Sequence, residues 1–195
     1  MTCIAAIISN DVITIASDML VTWDYSVNNY TDKIFRKGNG YVVGCSGGVR
    51  VSQLMQYEVT FPVIPKNVKD LKEFIVKKVV PNIRKVMHKE LAAKNMDESD
   101  LNSAFLIGVK GGLFVITEDY CVLEFDKFAA IGSGATAALA SLSTTEQVTK
   151  DLDIGIPNAQ RLAYALNSAH EVENTVGEDN QVVAIFGLTR GEEED

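Results

Sequence analysis

Apolar residues recur along this chain with two different periods, and the two periods alternate in blocks. In the first half, short runs rich in β-branched residues predict strands at residues 2–8, 12–17, 33–36 and 41–45. Apolar residues then recur at helical spacing, which predicts helices over residues 49–59 and 67–94. Pro81 lies inside the second of these helices and predicts a kink or a break there.

The second half repeats this succession of grouped strands and grouped helices. The same criteria predict strands at residues 103–109, 112–117, 120–125 and 127–131, helices at 135–144 and 157–170, and a last strand at 181–188. Because strands and helices are grouped rather than alternating, a doubly wound βαβ fold is excluded. We therefore predict an α+β fold, a four-layer α-β-β-α sandwich in which helix pairs flank two antiparallel sheets.

Length and composition agree with one globular domain. The chain has 195 residues, of which 47% are hydrophobic and 23% are charged, and both fractions are ordinary for a globular protein. No linker interrupts the pattern of predicted elements. We therefore predict a single domain over residues 1–195, whose residues 189–195 form an acidic tail.

The balance of acidic and basic residues indicates which classes of partner the chain would not attract. The chain carries 18 Lys and Arg residues against 26 Asp and Glu residues, a net charge of −8. Nucleic acids and anionic membranes attract basic proteins, so both are unexpected partners. No apolar run approaches the roughly 18 residues that would cross a membrane. The apolar N-terminal segment has no basic residue before it, and it therefore makes a poor signal peptide.

The cysteines and histidines do not form a metal-binding pattern. Cys3, Cys45 and Cys121 are scattered without a CxxC pair, which fits reduced thiols in a cytoplasmic protein. His88 and His170 lack ligand spacing, although a triad of Thr or Ser, His and Asp stays open because its members would meet only in the fold. We expect no cofactor and no metal.

Thr2 is a candidate nucleophile. Methionine aminopeptidase removes Met1 when the next residue is small, and the α-amine then exposed on Thr2 has a pKa of about 7.7–8.0. Such an amine can accept the proton of the threonine's own hydroxyl group. Threonine is common at position 2, so this position alone does not separate a nucleophile from an ordinary residue.

Asp18 and Lys33 are candidates for a charge pair beside Thr2. Lys33 begins a predicted strand after a polar loop at residues 18–32, so its ammonium group could project into the centre of the sheet. A buried ammonium would lower the effective pKa of a nearby hydroxyl, and Asp18 would supply its counter-ion. The alternatives are a solvated Lys33 and an Asp18 that only ends a strand.

Two glycine-containing turns lie between a predicted strand and a predicted helix. Ser46-Gly47-Gly48 could present backbone N–H groups to an oxyanion, or it could be a plain turn. Gly132-Ser133-Gly134 has the same context, and Ser133 could be a helix N-cap and nothing more. A nucleotide-binding GxGxxG motif is absent.

In their order and spacing, several segments resemble the proteasome β-subunit and HslV-like family of N-terminal nucleophile hydrolases. The matching segments are Met1-Thr2, Ile15-Ala16-Ser17-Asp18, Asp32-Lys33-Ile34, Gly44-Cys45-Ser46-Gly47-Gly48 and Ala130-Ile131-Gly132-Ser133-Gly134. The resemblance covers most of the chain. It implies the N-terminal nucleophile hydrolase fold and a threonine peptidase that is activated by loss of Met1 alone.

The resemblance also implies catalytic roles. Thr2 would be nucleophile and base, Asp18 and Lys33 the charge pair that tunes it, Gly47 the oxyanion donor, and Ser133 part of the polar network around the Thr2 amine. The family usually has an aspartate near the end of the penultimate helix. Here Glu171 and Glu173 are the candidates, and the spacing to Val176-Gly177 favours Glu173.

The same resemblance implies substrate-binding positions. Thr22, together with Gly47, would hold the substrate backbone as an added β-strand. Gly48 would be a further substrate-binding position, and the pocket for the residue before the cleaved bond would be lined by Thr31, Cys45 and Val49. This small, uncharged set suggests an apolar specificity.

The implied partners are polypeptide substrates, further copies of the chain in a ring or stacked rings, and an ATPase unfoldase ring. The chain has no P-loop GxxxxGK[ST] motif, so it would not supply the energy of unfolding itself. Two other functions stay open, namely a catalytically silent structural ring subunit and a small-molecule amidase of the same fold.

Overall fold

The computed structural model describes residues 2–21, 29–38, 40–93, 102–173, 176–177 and 180–185, with the backbone alone at 29–30 and 180–185. These residues form eleven strands: β1 Ile4–Ser9, β2 Val12–Asp18, β3 Leu20–Val21, β4 Asn29–Tyr30, β5 Ile34–Lys37, β6 Tyr41–Ser46, β7 Ala104–Val109, β8 Gly112–Ile116, β9 Val122–Phe125, β10 Phe128–Ile131 and β11 Asn180–Ile185. The α-helices of the described chain are α1 Val49–Tyr57, α2 Leu71–Phe74, α3 Val80–Ala93, α4 Ala135–Leu152 and α5 Asn158–Val172.

The strands form two main antiparallel sheets. One has the order β10-β1-β2-β11, and the other has the order β5-β6-β7-β8-β9. The hairpin between β1 and β2 turns at Asn10 and Asp11, whose φ angles of 51° and 63° lie in the left-handed region that tight hairpin turns require. This hairpin places the start of β1 beside the end of β2, with Ile4 opposite Ser17.

Three apolar clusters separate four layers. Ile4, Ala6, Ile13 and Ile15 point from the first sheet into a cluster shared with the second sheet. The opposite face of the first sheet packs on α4 and α5, through residues such as Cys3, Ala5, Leu162, Leu166 and Ala169. The second sheet packs its outer face on α1 and α3, through residues such as Val43, Phe105, Leu54, Ile83 and Met87. The predicted α+β four-layer sandwich is therefore confirmed.

Both faces of β1 and β2 are buried, and this explains their continuous apolar sequences. A strand with one exposed face would alternate apolar and polar residues. On β1, alternate residues contact the helices and the other sheet, so polar side chains are confined to its ends. Thr2, Ser17 and Asp18 are buried polar residues at one end of this hairpin.

The helix predicted over residues 67–94 differs from the structure in two ways. It begins at Leu71 because Asp70 caps it, its carboxylate accepting a hydrogen bond from Glu73 N at 2.8 Å. A π-helical turn, Ile75–Val79, lies immediately before Pro81. Proline has no N–H to donate, and the wider turn accommodates this loss without ending the helix.

The helix predicted over residues 135–144 continues to Leu152. The end of this helix contains Ser and Thr residues of low helix propensity, and packing against α5 stabilises its extra turns. Arg161 of α5 donates to Thr145 Oγ1 at 3.2 Å and pairs with Glu146 at 3.0 Å. The predicted loop at residues 18–32 also contains a small sheet of β3 and β4.

The end of the predicted last strand, at 186–188, and the predicted acidic tail at 189–195 lie outside the described residues. No helix in the described ranges is long and apolar enough to span a membrane.

Candidate active site

Thr2 lies at the open end of the hairpin, immediately before β1. It is buried, with 6% of its surface exposed. Its nitrogen donates a hydrogen bond to Ser133 Oγ at 3.4 Å, and its carbonyl oxygen accepts one from Gly134 N at 3.3 Å. Gly132 has a φ of +94°, and a side chain there would collide with the Thr2 carbonyl group. The turn before α4 therefore holds the backbone of Thr2 and requires glycine to do so.

Asp18 ends β2 and is completely buried. Its carboxylate accepts hydrogen bonds from Lys33 Nζ at 2.9 and 2.8 Å, from Cys3 N at 2.8 Å and from Gly177 N at 3.1 Å. A buried carboxylate is tolerated when its charge is paired and its oxygens accept hydrogen bonds. Asp18 meets both conditions, so the predicted Asp18–Lys33 pair is present in the structure.

Lys33 enters the same region from the second sheet, immediately before β5, and is 5% exposed. Burial lowers the pKa of its ammonium group, and the hydrogen bond and charge of Asp18 oppose that shift. Lys33 and Thr2 line one cavity. Lys33 therefore borders the cavity that Thr2 also lines, and its burial places its ammonium charge where water screens electrostatic effects less than in bulk solvent.

Gly47 occupies the turn from β6 to α1. Its φ is +111°, and an added Cβ would lie 2.6 Å from Asn102 O as well as against Ser103 Oγ. Gly48, the N-cap of α1, donates from its N–H to Ser103 Oγ at 3.3 Å. The start of β7 thus holds this turn at the N-terminal end of α1, where backbone N–H groups favour negative charge.

Thr2 and Gly47 lie at the boundary of two cavities. The first has a volume of about 230 Å³ and is lined by Thr2, Leu20, Val21, Thr31, Asp32, Lys33, Cys45, Gly47, Gly48, Val49, Ser52, Gln53 and Gln56. It therefore gathers the predicted substrate-binding residues that the structure describes, Thr31, Cys45, Gly48 and Val49. Thr22, the remaining predicted substrate-binding residue, lies outside the described residues.

The first cavity is more polar than the sequence suggested. Ser52, Gln53 and Gln56 extend its lining along α1, and Asp32 adds a carboxylate. The spacing of Val49, Gln53 and Gln56 is that of one helix face, which is a signal that would have found them. Burial raises the pKa of the Cys45 thiol to about 12, so this pocket residue is a neutral thiol at neutral pH.

The second cavity, of about 600 Å³, lies on the other side of Thr2. Its lining consists of Thr2, Ser46, Gly47, Asn102, Ser103, Ala104, Thr117, Glu118, Gly132 and Ser133. Sequence reasoning missed the residues that lie just before or at the start of β7 and those that directly follow β8. No local pattern would have revealed them, since only the pairing of β6 with β7 and of β7 with β8 brings them to Thr2.

The structure separates the two candidate glutamates. Glu171 lines a groove on the outer face of α4 and α5, away from the two cavities at Thr2. Glu173 is the C-cap of α5 and begins the turn that carries Gly177 to Asp18, with Val176 N donating to Glu173 O at 2.9 Å. Glu173 does not line either cavity at Thr2, and its catalytic role stays a prediction.

Neither histidine lines the cavities at Thr2. His170 instead donates from Nδ1 to Val176 O at 2.8 Å, which holds the turn beside Asp18. In the described parts of the chain, no three His, Cys, Asp or Glu side chains converge as metal ligands would.

The comparisons with known proteins agree with this architecture. A Thiobacillus denitrificans BPH structure, in complex with epoxomicin, has a TM-score of 0.72 at 20% identity, covering 96% of this chain and 99% of that one. HslV from Trypanosoma brucei has a TM-score of 0.63 at 16% identity, covering 94% of this chain and 99% of that one. Anbu from Pseudomonas aeruginosa, in a helical assembly, has a TM-score of 0.65 at 18% identity, covering 100% of this chain and 88% of that one.

At these identities, the likeness to solved structures shows a shared fold. No curated protein matches the chain significantly in sequence. The family model described as proteasome subunit matches residues 1–185, which is most of the chain and includes every residue of the site described above. The chain therefore belongs to the proteasome subunit family.

Proposed function

We propose that this chain is the catalytic subunit of a threonine peptidase and that its nucleophile is Thr2 after removal of Met1. The observation that carries this proposal is the position of Thr2 between two cavities, beside the buried Asp18–Lys33 pair. A buried ammonium that lines a cleft and is paired with a specific carboxylate is typical of functional sites.

The proposed reaction begins with proton transfer from the Thr2 hydroxyl to the Thr2 α-amine. The hydroxyl oxygen attacks the peptide carbonyl carbon, and the oxyanion so formed receives a hydrogen bond from Gly47 N–H. The C–N bond then breaks, the ammonium returns its proton to the leaving amine, and an ester on Thr2 remains. Water then attacks the ester carbonyl carbon and gives a proton to the amine. The ester C–O bond breaks, the ammonium returns that proton to the Thr2 oxygen, and the peptide leaves with its new carboxyl group.

The neighbouring residues support these steps electrostatically. The Lys33 ammonium favours the deprotonated hydroxyl, and Asp18 keeps that ammonium charged and oriented. Ser133 Oγ lies 3.4 Å from the Thr2 nitrogen, where it would orient the free amine. We assign Glu173 to the same polar network, through the turn that it begins beside Asp18.

We further propose that copies of the chain assemble into rings that enclose the active sites in the cytoplasm, and that a separate ATPase ring unfolds the polypeptide substrates. Enclosure would protect other proteins from an otherwise exposed peptidase. The helical assembly of Pseudomonas aeruginosa Anbu supports self-association of this fold. In such an assembly, α1 and the long helix formed by α2, the π-helical turn and α3 are the contacts that we expect.

Mass spectrometry of the purified protein tests the nucleophile. We expect an intact mass without Met1, and one adduct on Thr2 after incubation with epoxomicin or a peptide boronate. Thr2→Ala should lose both the adduct and peptide cleavage, the latter by about 10³-fold or more. Thr144→Ala removes the same hydroxyl from an exposed position on α4, and it should retain both.

Circular dichroism of each variant checks that the fold is retained. Retained Met1, the lack of a Thr2 adduct in the unmodified chain, or unchanged cleavage by Thr2→Ala would each contradict the proposal. A folded assembly without any adduct would instead indicate a silent structural subunit.

A further inference from the structure

Among the described residues that line the second cavity, Glu118 is the one with a charged side chain. Apart from Glu118, the lining residues are Gly, Ala, Ser, Thr or Asn. Glu118 is exposed, and within the described chain its carboxylate has no hydrogen bond or ion pair. Where the other described side chains of the lining are uncharged, an unpaired carboxylate would attract a positively charged side chain.

A short turn holds Glu118 at the edge of this cavity. Thr117 N donates to Cys121 O at 3.0 Å, and Tyr120 N donates to Thr117 O at 2.9 Å. The Asp119 carboxylate accepts hydrogen bonds from Thr117 Oγ1 and from Cys121 N, and these bonds lower its pKa. The charge of Asp119 is therefore engaged within the turn, whereas Glu118 remains available to a ligand.

The position of the cavity decides which part of a substrate it would receive. Thr2 and Gly47 line both cavities, so a peptide whose carbonyl group lies at these two residues must enter both. In the proposed reaction, the acyl part of the substrate occupies the first cavity, with Cys45 and Val49. The segment that leaves with the new amino terminus then occupies the second cavity.

We propose that Glu118 makes this site selective for peptides with Lys or Arg at the first or second residue after the cleaved bond. The inference rests on the proposed function, because it requires cleavage at Thr2. Exposed charge pairs have modest energies, so we expect a preference of about three- to fivefold in kcat/KM for Lys over Gln. Salt should weaken this preference, because it screens exposed charges.

Peptide pairs that differ only at these two positions test the proposal, with cleavage followed by mass spectrometry. In the unmodified protein, kcat/KM should be highest for the Lys peptide, lower for the Gln peptide and lowest for the Glu peptide. Glu118→Gln should bring the ratio of Lys to Gln peptides close to one, and Glu118→Lys should reverse the order. Glu124→Gln makes the same charge change on exposed β9, outside both cavities, and should retain the preference.

The outcomes separate this inference from the proposed function. A Thr2 adduct together with equal cleavage of the Lys, Gln and Glu peptides would overturn the selectivity alone. The selectivity alone would also be overturned if Glu118→Gln kept the preference for Lys peptides, or if Glu124→Gln lost this preference to the same extent as Glu118→Gln. Lack of both adduct and cleavage in the unmodified protein would overturn the selectivity and the peptidase function together.

Discussion

Burial of two opposite charges is the dominant constraint on the residues around Thr2. Asp18 is fully buried and Lys33 nearly so, and removing either one would leave the other as an uncompensated buried charge. Their hydrogen bonds extend to Cys3 N and Gly177 N, so the pair also links the first strand to the turn after α5. The Asp18–Lys33 pair that we assign to catalysis therefore also joins the first strand to the turn after α5.

The lowered pKa of Lys33 predicts an alkaline loss of activity. Its ammonium should lose its proton below the ordinary lysine pKa of 10.5, and kcat/KM for peptide cleavage should fall as that occurs. A pH–rate profile from pH 7 to 10.5 measures this alkaline decrease in kcat/KM. An unchanged kcat/KM up to pH 10.5 would contradict the electrostatic role of Lys33.

Unfolding caused by the titration of Lys33 cannot account for such a loss of activity. In the relevant pH range, this titration raises the free energy of unfolding instead of lowering it. Between the lowered folded pKa and the unfolded pKa of 10.5, the unfolded chain binds more protons at this lysine than the folded chain does. The contribution of Lys33 to the free energy of unfolding therefore rises with pH in that window. Circular dichroism in the same buffers provides the control for other titrating groups.

Among the elements, the connection between β6 and α1 shows how one backbone conformation positions a site. The strand ends at Ser46 and the helix begins at Val49, so two glycines make the whole turn. Gly47 needs its positive φ and has no space for a Cβ against Asn102 and Ser103, whereas Gly48 has an extended conformation that other residues adopt.

This contrast predicts different effects of alanine at the two positions. Gly47→Ala should lower the free energy of unfolding by about 1–3 kcal/mol or more, because strain and a steric overlap add. Gly48→Ala should cost at most about 1 kcal/mol, since its Cβ would meet only Val51 at 3.7 Å. Urea unfolding measures both values, and equal costs would contradict this account of the turn.

The boundaries of the strands and helices show where local sequence patterns are sufficient to predict secondary structure. The strands of the first sheet were predicted well because their apolar, β-branched runs are bounded by turn residues such as Asn10 and Asp11. The end of α4 was predicted too early because Thr145 and Glu146 contact Arg161 of the next helix. Helix propensity does not include that contact.

At the scale of the whole molecule, the sandwich concentrates the site at one end of its two sheets. Thr2 precedes β1, Lys33 precedes β5, and Gly47 and Ser133 lie between a sheet and a helix. The outer faces of the helices are left for contacts with other molecules. Tyr57, at the end of α1, is 74% exposed although it is large and partly apolar.

Assembly gives a further prediction at this scale. Size-exclusion chromatography with light scattering should give a mass that is a multiple of the 21.3 kDa chain. Tyr57→Asp should reduce that mass by placing a charge in an α1 contact, whereas Leu123→Asp, on exposed β9, should leave it unchanged. A monomeric unmodified protein would contradict enclosure of the active sites.

The sequence by itself determined the succession of strands and helices, the four-layer fold class and some of the residues that gather around Thr2, namely Asp18, Lys33, Gly47 and Ser133. Periodicity depends on neighbouring residues, so it can be read locally. Only the tertiary structure decided that Gly177 completes the environment of Asp18, that Glu171 lies on an outer face and that Glu118 lines a cavity at Thr2. These placements depend on strand register and layer packing, which join residues far apart in the chain.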